Sequence, residues 1–143
     1  MRLLLRHPRA WLVLGWSMIL VVVALSLMPG QKLPVTGVSD KFQHGAAYAV
    51  LALWFAGIYP RSSYWLIAIG LLLLGMGVEF AQGAMSLGRE ADLRDVAANG
   101  SGIAVGLGLA WLWLGGWAQR VEEWGLCLAK LVGAKLAGAK RRS

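Results

Sequence analysis

Long apolar runs, separated by short segments that carry most of the charged residues, dominate the chain. Residues 10–30, 42–60 and 96–119 contain no Asp, Glu, Lys or Arg, and a fourth run, 62–87, contains only Glu79. Each run is close to the roughly 20 residues that a helix needs to cross the hydrocarbon core of a bilayer. Because lipid offers the backbone no hydrogen bonds, such runs are expected to be helical. The pattern predicts an all-α integral membrane protein, a four-helix bundle of four spans.

The first run shares one feature with a signal peptide, because Arg2, Arg6 and Arg9 precede it. It is longer than the usual apolar region of a signal peptide, however, and Ala24-Leu25-Ser26 is a poor cleavage motif. The sequence therefore favours a retained membrane anchor over a cleaved signal.

The C-terminal segment has a different pattern. A basic amphipathic helix next to a membrane is expected to lie on the inner surface, and docking on a partner protein is the alternative. The apolar positions recur at steps of three and four between charged residues; they are Trp117, Val121, Trp124, Leu128, Leu131, Val132 and Leu136. The sequence thus predicts a membrane domain, 1–117, and a basic amphipathic cytoplasmic tail, 118–143, that forms an interfacial helix.

Composition and charge agree with this interpretation. Hydrophobic residues make up 58% of the chain and charged residues 15%, which is too little polar surface for a soluble domain of 143 residues. The net charge is +7, but the basic residues cluster at the two ends of the chain beside apolar runs. Anionic lipid headgroups, and not nucleic acid, are therefore the expected partner.

The distribution of Lys and Arg predicts the orientation in the membrane. The predicted loops 29–41 and 87–95 hold Lys32, Lys41, Arg89 and Arg94, and the other ten of the 14 basic residues lie in segments on the opposite side. Since cytoplasmic segments carry the excess of positive charge, these loops are expected to face outward. A multi-pass protein of the bacterial cytoplasmic (inner) membrane with both termini in the cytoplasm is predicted.

A few polar residues interrupt or flank the apolar runs. Ionisable groups are costly in lipid, so these residues are expected to face the interior of the bundle. At about 1.5 Å per residue, Tyr48, Glu79 and Asn99 each lie roughly 10 Å from the outer end of their helix. The spacing predicts one polar layer, although hydrogen bonds that only hold the bundle together are the alternative. The candidate site residues are Asp40, Lys41, His44, Tyr48, Glu79, Gln82, Arg89, Asp95 and Asn99.

Two further patterns predict packing and membrane anchoring. Ala98, Gly102, Gly106 and Ala110 follow at steps of four, which is typical of a face on which two membrane helices approach closely. Tryptophan is common at membrane interfaces, where its ring is amphipathic. We therefore expect the following residues to be interfacial or lipid-facing anchors: Trp11, Trp54, Trp65, Trp111 and Trp117.

The order and spacing of these polar residues resemble the VanZ-like family. The match runs from residue 40 to about residue 110 and leaves the basic tail outside. It consists of Asp40-Lys41-x-x-His44-x-x-x-Tyr48, Glu79-x-x-Gln82, Arg89 and Asp95-x-x-x-Asn99-x-x-Gly102-x-x-x-Gly106. Members of that family are small bacterial membrane proteins, and its namesake is associated with teicoplanin resistance. The resemblance implies a cell-envelope setting and a possible role in antibiotic resistance, with no mechanism attached.

Three functions are compatible with the sequence. The favoured one is binding of an amphiphilic or lipid-linked ligand at the outer leaflet, where the Arg89 guanidinium suits an anionic headgroup. An accessory subunit of a larger membrane protein complex is the second. The third is an enzyme in which His44, Glu79 and Asp95 act as acid and base on a lipid-linked substrate. A metal site from the same three residues lacks ligand-type spacing, so no metal and no cofactor are predicted.

Overall fold

The structure is a computed structural model that describes residues 5–28, 37, 39–85 and 92–140, with backbone only for 133–134 and 136–140. The helices are α1 (Pro8–Ser26), α2 (Asp40–Ile58), α3 (Tyr64–Met85), α4 (Leu93–Leu109) and α5 (Trp117–Lys140). A 3₁₀ turn, Arg61–Ser63, precedes α3, and a π-helical turn, Ala110–Leu114, continues α4. Within these described residues there is no strand, which confirms the prediction of an all-helical chain.

Three helical segments are long and apolar enough to cross a membrane. They are Pro8–Ser26, Arg61–Met85 and Leu93–Leu114. Helix α2 is as long as α1, at 19 residues, but is not among them. Its first five residues include Asp40, Lys41, Gln43 and His44, which lower its mean hydropathy.

Helix α2 is the central element of the fold. It contacts each of the other four helices, and its contact with α4 is the most extensive. Leu51, Ala52 and Ile58 on α2 are fully buried, whereas α1 buries only Gly15. The exposed large apolar residues on α1 and α3 include Val13, Leu20, Trp65, Ile69 and Leu73. Helix α2 therefore buries more of its length against protein than α1 does, above all in its C-terminal half.

The backbones of α2 and α4 are in direct contact along the predicted stripe of small residues that runs from Ala98 to Ala110. A Cβ atom added to Gly102 would overlap the carbonyl group of Gly45, and one added to Gly106 would overlap that of Ala49. Ala110, at the end of the stripe, is fully buried, and the carbonyl oxygen of Ala98 lies 3.3 Å from where a Cβ of Gly45 would be. The two helices therefore approach as closely as their backbones allow.

A tryptophan cluster lies at the C-terminal half of α2. It consists of Trp11 of α1, Trp54 of α2 and Trp117 of α5. Their ring centroids lie 5.6, 5.2 and 5.1 Å apart in the three pairs. Each indole N–H donates a hydrogen bond, to Glu122, the carbonyl of Trp11 and the carbonyl of Leu53 respectively. These three rings pack on one another and are partly buried, so they form one cluster at this end of the bundle.

Glu122 on α5 joins this cluster to the start of α1. Its carboxylate accepts hydrogen bonds from the backbone N–H groups of Arg6, at 2.6 Å, and His7, at 3.0 Å. The N-cap residue of α1, His7, makes no side-chain cap of its own, so Glu122 supplies the missing acceptor at a helix end that favours negative charge. Burial by itself would raise the pKa of Glu122, but the hydrogen bonds from Arg6, Trp11 and His7 hold that pKa below its ordinary value.

Beyond Glu122, α5 is helical, as the spacing predicts, and its apolar stripe is exposed from Trp124 to Val132. Trp124 is the most exposed of the stripe, at 76%. The other exposed apolar residues of the stripe are Val121, Leu128, Leu131 and Val132.

The α2–α4 contact predicts opposite effects for two glycine substitutions in α4. Gly102→Ala should lower the free energy of unfolding by about 1–3 kcal/mol, because the new methyl group meets backbone that cannot yield without separating the helices. Gly108→Ala, whose Cβ would meet nothing within 4 Å, should raise it by about 0.5–1 kcal/mol through helix propensity. Thermal unfolding in detergent, followed by circular dichroism, measures both. If the two substitutions changed the free energy of unfolding equally, α2 and α4 would have to be farther apart than in this structure.

Glu122 predicts a pH-dependent contribution to stability. Its folded-state pKa lies below the ordinary value of 4.5, so its contribution is fully present above pH 4.5 and is lost as the pH falls through the folded-state pKa. Glu122→Gln should cost about 1 kcal/mol at neutral pH, after allowance for its partial exposure to solvent, and nothing at the acid limit. Thermal unfolding against pH tests this, with the exposed neighbour in Glu123→Gln as the control. A constant difference at every pH would contradict it.

Candidate functional site

The predicted polar residues meet at one end of the bundle. Gln82, near the end of α3, donates a hydrogen bond of 2.7 Å to the carbonyl of Ser26, the last residue of α1. Lys41, at the start of α2, contacts Asp92 and Asp95 at the start of α4. Every predicted site residue that the structure describes lies at this end, and Arg89 lies outside the described residues. The polar end consists of Asp40, Lys41, His44, Tyr48, Glu79, Gln82, Asp92, Asp95 and Asn99.

Two helix caps fix the first turns of α2 and α4. The hydroxyl oxygen of Ser39 accepts a hydrogen bond from the N–H of Phe42, which leaves Asp40 in the first turn of α2. Asp92 caps α4 by accepting from the N–H of Arg94 at 2.8 Å. That hydrogen bond and a second from Lys41 hold the pKa of Asp92 below its ordinary value. Asp92 was not predicted as a site residue, although an Asp before an apolar helical run is an N-cap signal.

Lys41 supplies the positive charge that a buried carboxylate needs. Its ammonium lies 2.9 Å from Asp92 and 3.0 Å from Asp95. The side chain of Asp95 is only 10% exposed, whereas that of Lys41 is 47% exposed. Lys41 therefore reaches from the solvent-facing side of α2 to compensate a carboxylate at the α2–α4 contact, where an unpaired charge would be costly.

His44 is held in one orientation by Asn99. The Nδ1 atom of His44 lies 3.2 Å from the Oδ1 atom of Asn99, and both residues are buried. An amide oxygen only accepts hydrogen bonds, so Nδ1 carries the proton of this contact and donates it. The other ring nitrogen, Nε2, lies 3.8 Å from Oδ2 of Asp40. The imidazole therefore faces Asn99 on one side and Asp40 on the other.

Glu79 connects α3 to this cluster through the backbone. Its Oε2 atom accepts a hydrogen bond of 3.2 Å from the N–H of Asp92. Since Asp92 also binds Lys41, the carboxylate of Glu79 is linked to Asp95 through two intermediates. The two ring nitrogens of His44 are directed at Asn99 and Asp40.

Tyr48 lies one helical turn below His44 on the same face of α2. It is 1% exposed, and its hydroxyl group has no hydrogen-bond partner among the described residues. A Cβ added to Gly75 of α3 would lie 3.3 Å from this hydroxyl and 2.9 Å from Nδ2 of Asn99. Gly75 thus leaves room for the two polar groups where α2, α3 and α4 meet.

The chemistry at this end differs from the one that the sequence predicts. Asp40, His44 and Asp95 each place one potential ligand atom within 4.8 Å of the others. The trio that the sequence offers for acid–base chemistry, His44, Glu79 and Asp95, contains Glu79 in place of Asp40. The helical spacing of Asp40 and His44, four residues apart, is the signal that identifies the observed set.

A second feature with binding potential lies between α1, α2 and α3. An apolar cavity of about 460 Å³, here called the lateral groove, ends at Leu74, about 7.5 Å along α3 from Glu79. Trp16, Leu66 and Gly70 in its wall are exposed, so it opens sideways between α1 and α3. Its lining is Trp16, Ile19, Phe55, Tyr59, Ser63, Leu66, Ile67, Gly70, Leu71 and Leu74.

Comparison of the chain with protein-family models, with curated proteins and with solved structures finds no match. The resemblance to the VanZ-like family therefore rests on the motifs at residues 40–106 alone.

Proposed function

We propose that α1–α4 form a four-span bundle in the cytoplasmic membrane of a bacterium and bind an amphiphilic or lipid-linked molecule from the outer leaflet. The apolar chain of the ligand lies in the lateral groove, and its headgroup lies at the polar end. The observation that carries this proposal is the alignment of the two features along α3, where the apolar groove runs from Ser63 to Leu74 and ends about 7.5 Å from Glu79 of the polar end. The resemblance to the VanZ-like family supports the envelope setting and a role in glycopeptide resistance.

The direction of the helices supports a crossing by α2. The ends of α1 and α3 meet at the polar end, where Gln82 binds the carbonyl of Ser26. Helices α1 and α3 therefore run in the same direction, and the chain returns between them through α2. At about 1.5 Å per residue, the 19 residues of α2 span roughly 28 Å, close to the thickness of the hydrocarbon core.

The two ends of α2 provide a test of its crossing. Single cysteines at Ser39 and Ser62, each in a Cys127→Ala background, should react with a membrane-impermeant maleimide from opposite sides. Ser39 should label in intact spheroplasts, and Ser62 only after the membrane is opened, since the positive-inside bias favours the cytoplasmic side for the end of the bundle that carries Ser62 and the tryptophan cluster. Labelling of both from outside would contradict the four-span arrangement.

The lateral groove has the properties of a binding site for an acyl chain. Its volume falls in the range of roughly 300–1,000 Å³ that small-molecule sites occupy, and its wall is almost wholly apolar. Only Gly15 of α1 is buried, and Met18, Ile19 and Val22 pack against the core while partly exposed, so α1 provides the thinnest wall of the groove. Lys41, Asp92 and Arg94 are partly or fully exposed at the polar end, where a headgroup would meet charges of both signs.

Filling the groove should weaken this binding. Gly70→Leu places a side chain in the wall of the groove, where a Cβ meets nothing within 4 Å. Cross-linking of a palmitic acid analogue with a diazirine at the chain end, mapped by mass spectrometry, should fall about tenfold at residues 66–74, equivalent to about 1.4 kcal/mol.

Gly77→Leu is the matched control for this experiment. Gly77 is on the same helix, is exposed and lies outside the groove, and its Cβ also meets nothing within 4 Å. This variant should label like the wild type. Cross-links spread evenly over the exposed faces of α1 and α3, and unchanged by Gly70→Leu, would rule out the groove as the binding site.

The position of α5 favours a second membrane contact. Its exposed stripe, with Trp124, Leu128 and Leu131, begins at the tryptophan cluster, which the proposed orientation places at the inner leaflet. Arg120, Lys130 and Lys135 are exposed on the same helix and suit anionic headgroups. We therefore infer that α5 lies on the inner surface, with Glu122 and Trp117 fixing its start.

A further inference from the structure

We propose that Asp40, His44 and Asp95 form a binding site for a divalent first-row transition metal of the Zn²⁺ type at the outer face of the polar end. One imidazole nitrogen and two carboxylate oxygens are ligands that Zn²⁺ takes in open sites, where a fourth position is left to water or another molecule. Mg²⁺ prefers an all-oxygen shell, so the imidazole disfavours it.

The distances are close to those of such a site. Ligand atoms about 2.0–2.1 Å from a tetrahedral zinc ion are roughly 3.3 Å from one another. Nε2 of His44 and Oδ2 of Asp40 are 3.8 Å apart, and all three ligand atoms lie within 4.8 Å of one another. Movements of about an ångström in side chains would complete the shell. The backbones need not move, because the contact of Gly45 with Gly102 already fixes α2 against α4.

Asn99 provides an independent reason to assign a metal to His44. Because Nδ1–H of His44 donates to Oδ1 of Asn99, the lone pair of a neutral ring is on Nε2 and points to the carboxylate side. Metal-binding histidines are oriented by such a hydrogen bond from the second ring nitrogen. A metal ion between this ring nitrogen and the carboxylate of Asp40 would be attracted to both, and His44 is itself only 8% exposed.

Lys41 does not block this site. It contacts Oδ1 of Asp95, and an ionised carboxylate has two oxygens with about four lone-pair sites, so one contact with Lys41 does not use them all. Its second contact, with Asp92, lies outside the three ligands. Lys41 therefore compensates the charge of Asp95 when no metal is bound, which makes binding reversible and keeps the helices together in the metal-free protein.

The exposed position of Asp40 leaves the metal open to the outer aqueous side. There the ion would offer an attachment point to a phosphate or carboxylate headgroup, a step that rests on the proposed function. Metal binding itself does not depend on the proposed function, because it is measured without a lipid ligand. Failure of metal binding would therefore leave the proposed ligand binding testable, and failure of ligand binding would leave metal binding testable.

The experiment is a Zn²⁺ titration of the full chain in detergent after treatment with a chelator. A Cys127→Ala background removes the one thiol, which is exposed. One equivalent should bind, His44→Ala and Asp95→Asn should each weaken binding by more than about 100-fold, and Asn99→Ala should weaken it by about 10–100-fold. An excess of Mg²⁺ should not compete.

Two matched variants serve as controls. Asp92→Asn removes a neighbouring carboxylate that binds Lys41, and His7→Ala removes the other histidine, which is exposed. Both should bind Zn²⁺ like the parent protein. Co²⁺ bound to the parent protein should show the intense visible absorption bands of a four-coordinate ion. This measurement does not depend on whether any of the variants folds. Lack of stoichiometric binding, or binding that His44→Ala leaves unchanged, would overturn the proposal and leave Lys41 as the cation of this cluster.

Discussion

The close approach of α2 and α4 is the constraint on which the rest of the structure depends. Gly102 and Gly106 have no side chain to hold the helices apart, so their backbones lie against the carbonyl groups of Gly45 and Ala49. Van der Waals contact of this kind is the main attraction between helices in lipid, where apolar side chains gain nothing from leaving water. Because both helices begin at the same end, the contact also decides which polar side chains meet.

The polar end follows directly from that contact. His44 is one residue before Gly45, and Asn99 is three residues before Gly102, so the tight crossing brings the imidazole and the amide within hydrogen-bond distance. Lys41 and Asp95, one turn farther out, meet for the same reason. Larger side chains at Gly102 and Gly106 would move the two helices apart and separate these groups. Each group would then be buried without a hydrogen-bond partner, which costs free energy.

Carboxylates on one segment satisfy backbone N–H groups of another at both ends of the molecule. Glu79 of α3 accepts from the N–H of Asp92 at the start of α4, and Glu122 of α5 accepts from Arg6 and His7 before α1. Such contacts attach helices that share little apolar core. In α1 only Gly15 is buried, Met18, Ile19 and Val22 pack on the core while partly exposed, and the lateral groove lies between α1 and α3.

By itself, the sequence determined the helices, their approximate ends and the presence of polar groups at one depth. These properties follow from hydropathy and from the periodicity of a single helix, which residue spacing records directly. Hydropathy predicted α2 as one span among four. It did not indicate that α2 contacts all the other helices, because hydropathy does not record which helix the others surround.

Only the tertiary structure decided which groups pair. It joined His44 to Asn99 and Asp40, connected Glu79 through the N–H of Asp92, and gathered Trp11 and Trp117 into a cluster that Glu122 completes. The lateral groove is likewise formed by three helices together. Such pairings depend on the rotation and tilt of each helix relative to its neighbours. Packing between helices sets both, and the periodicity of one helix carries no record of them.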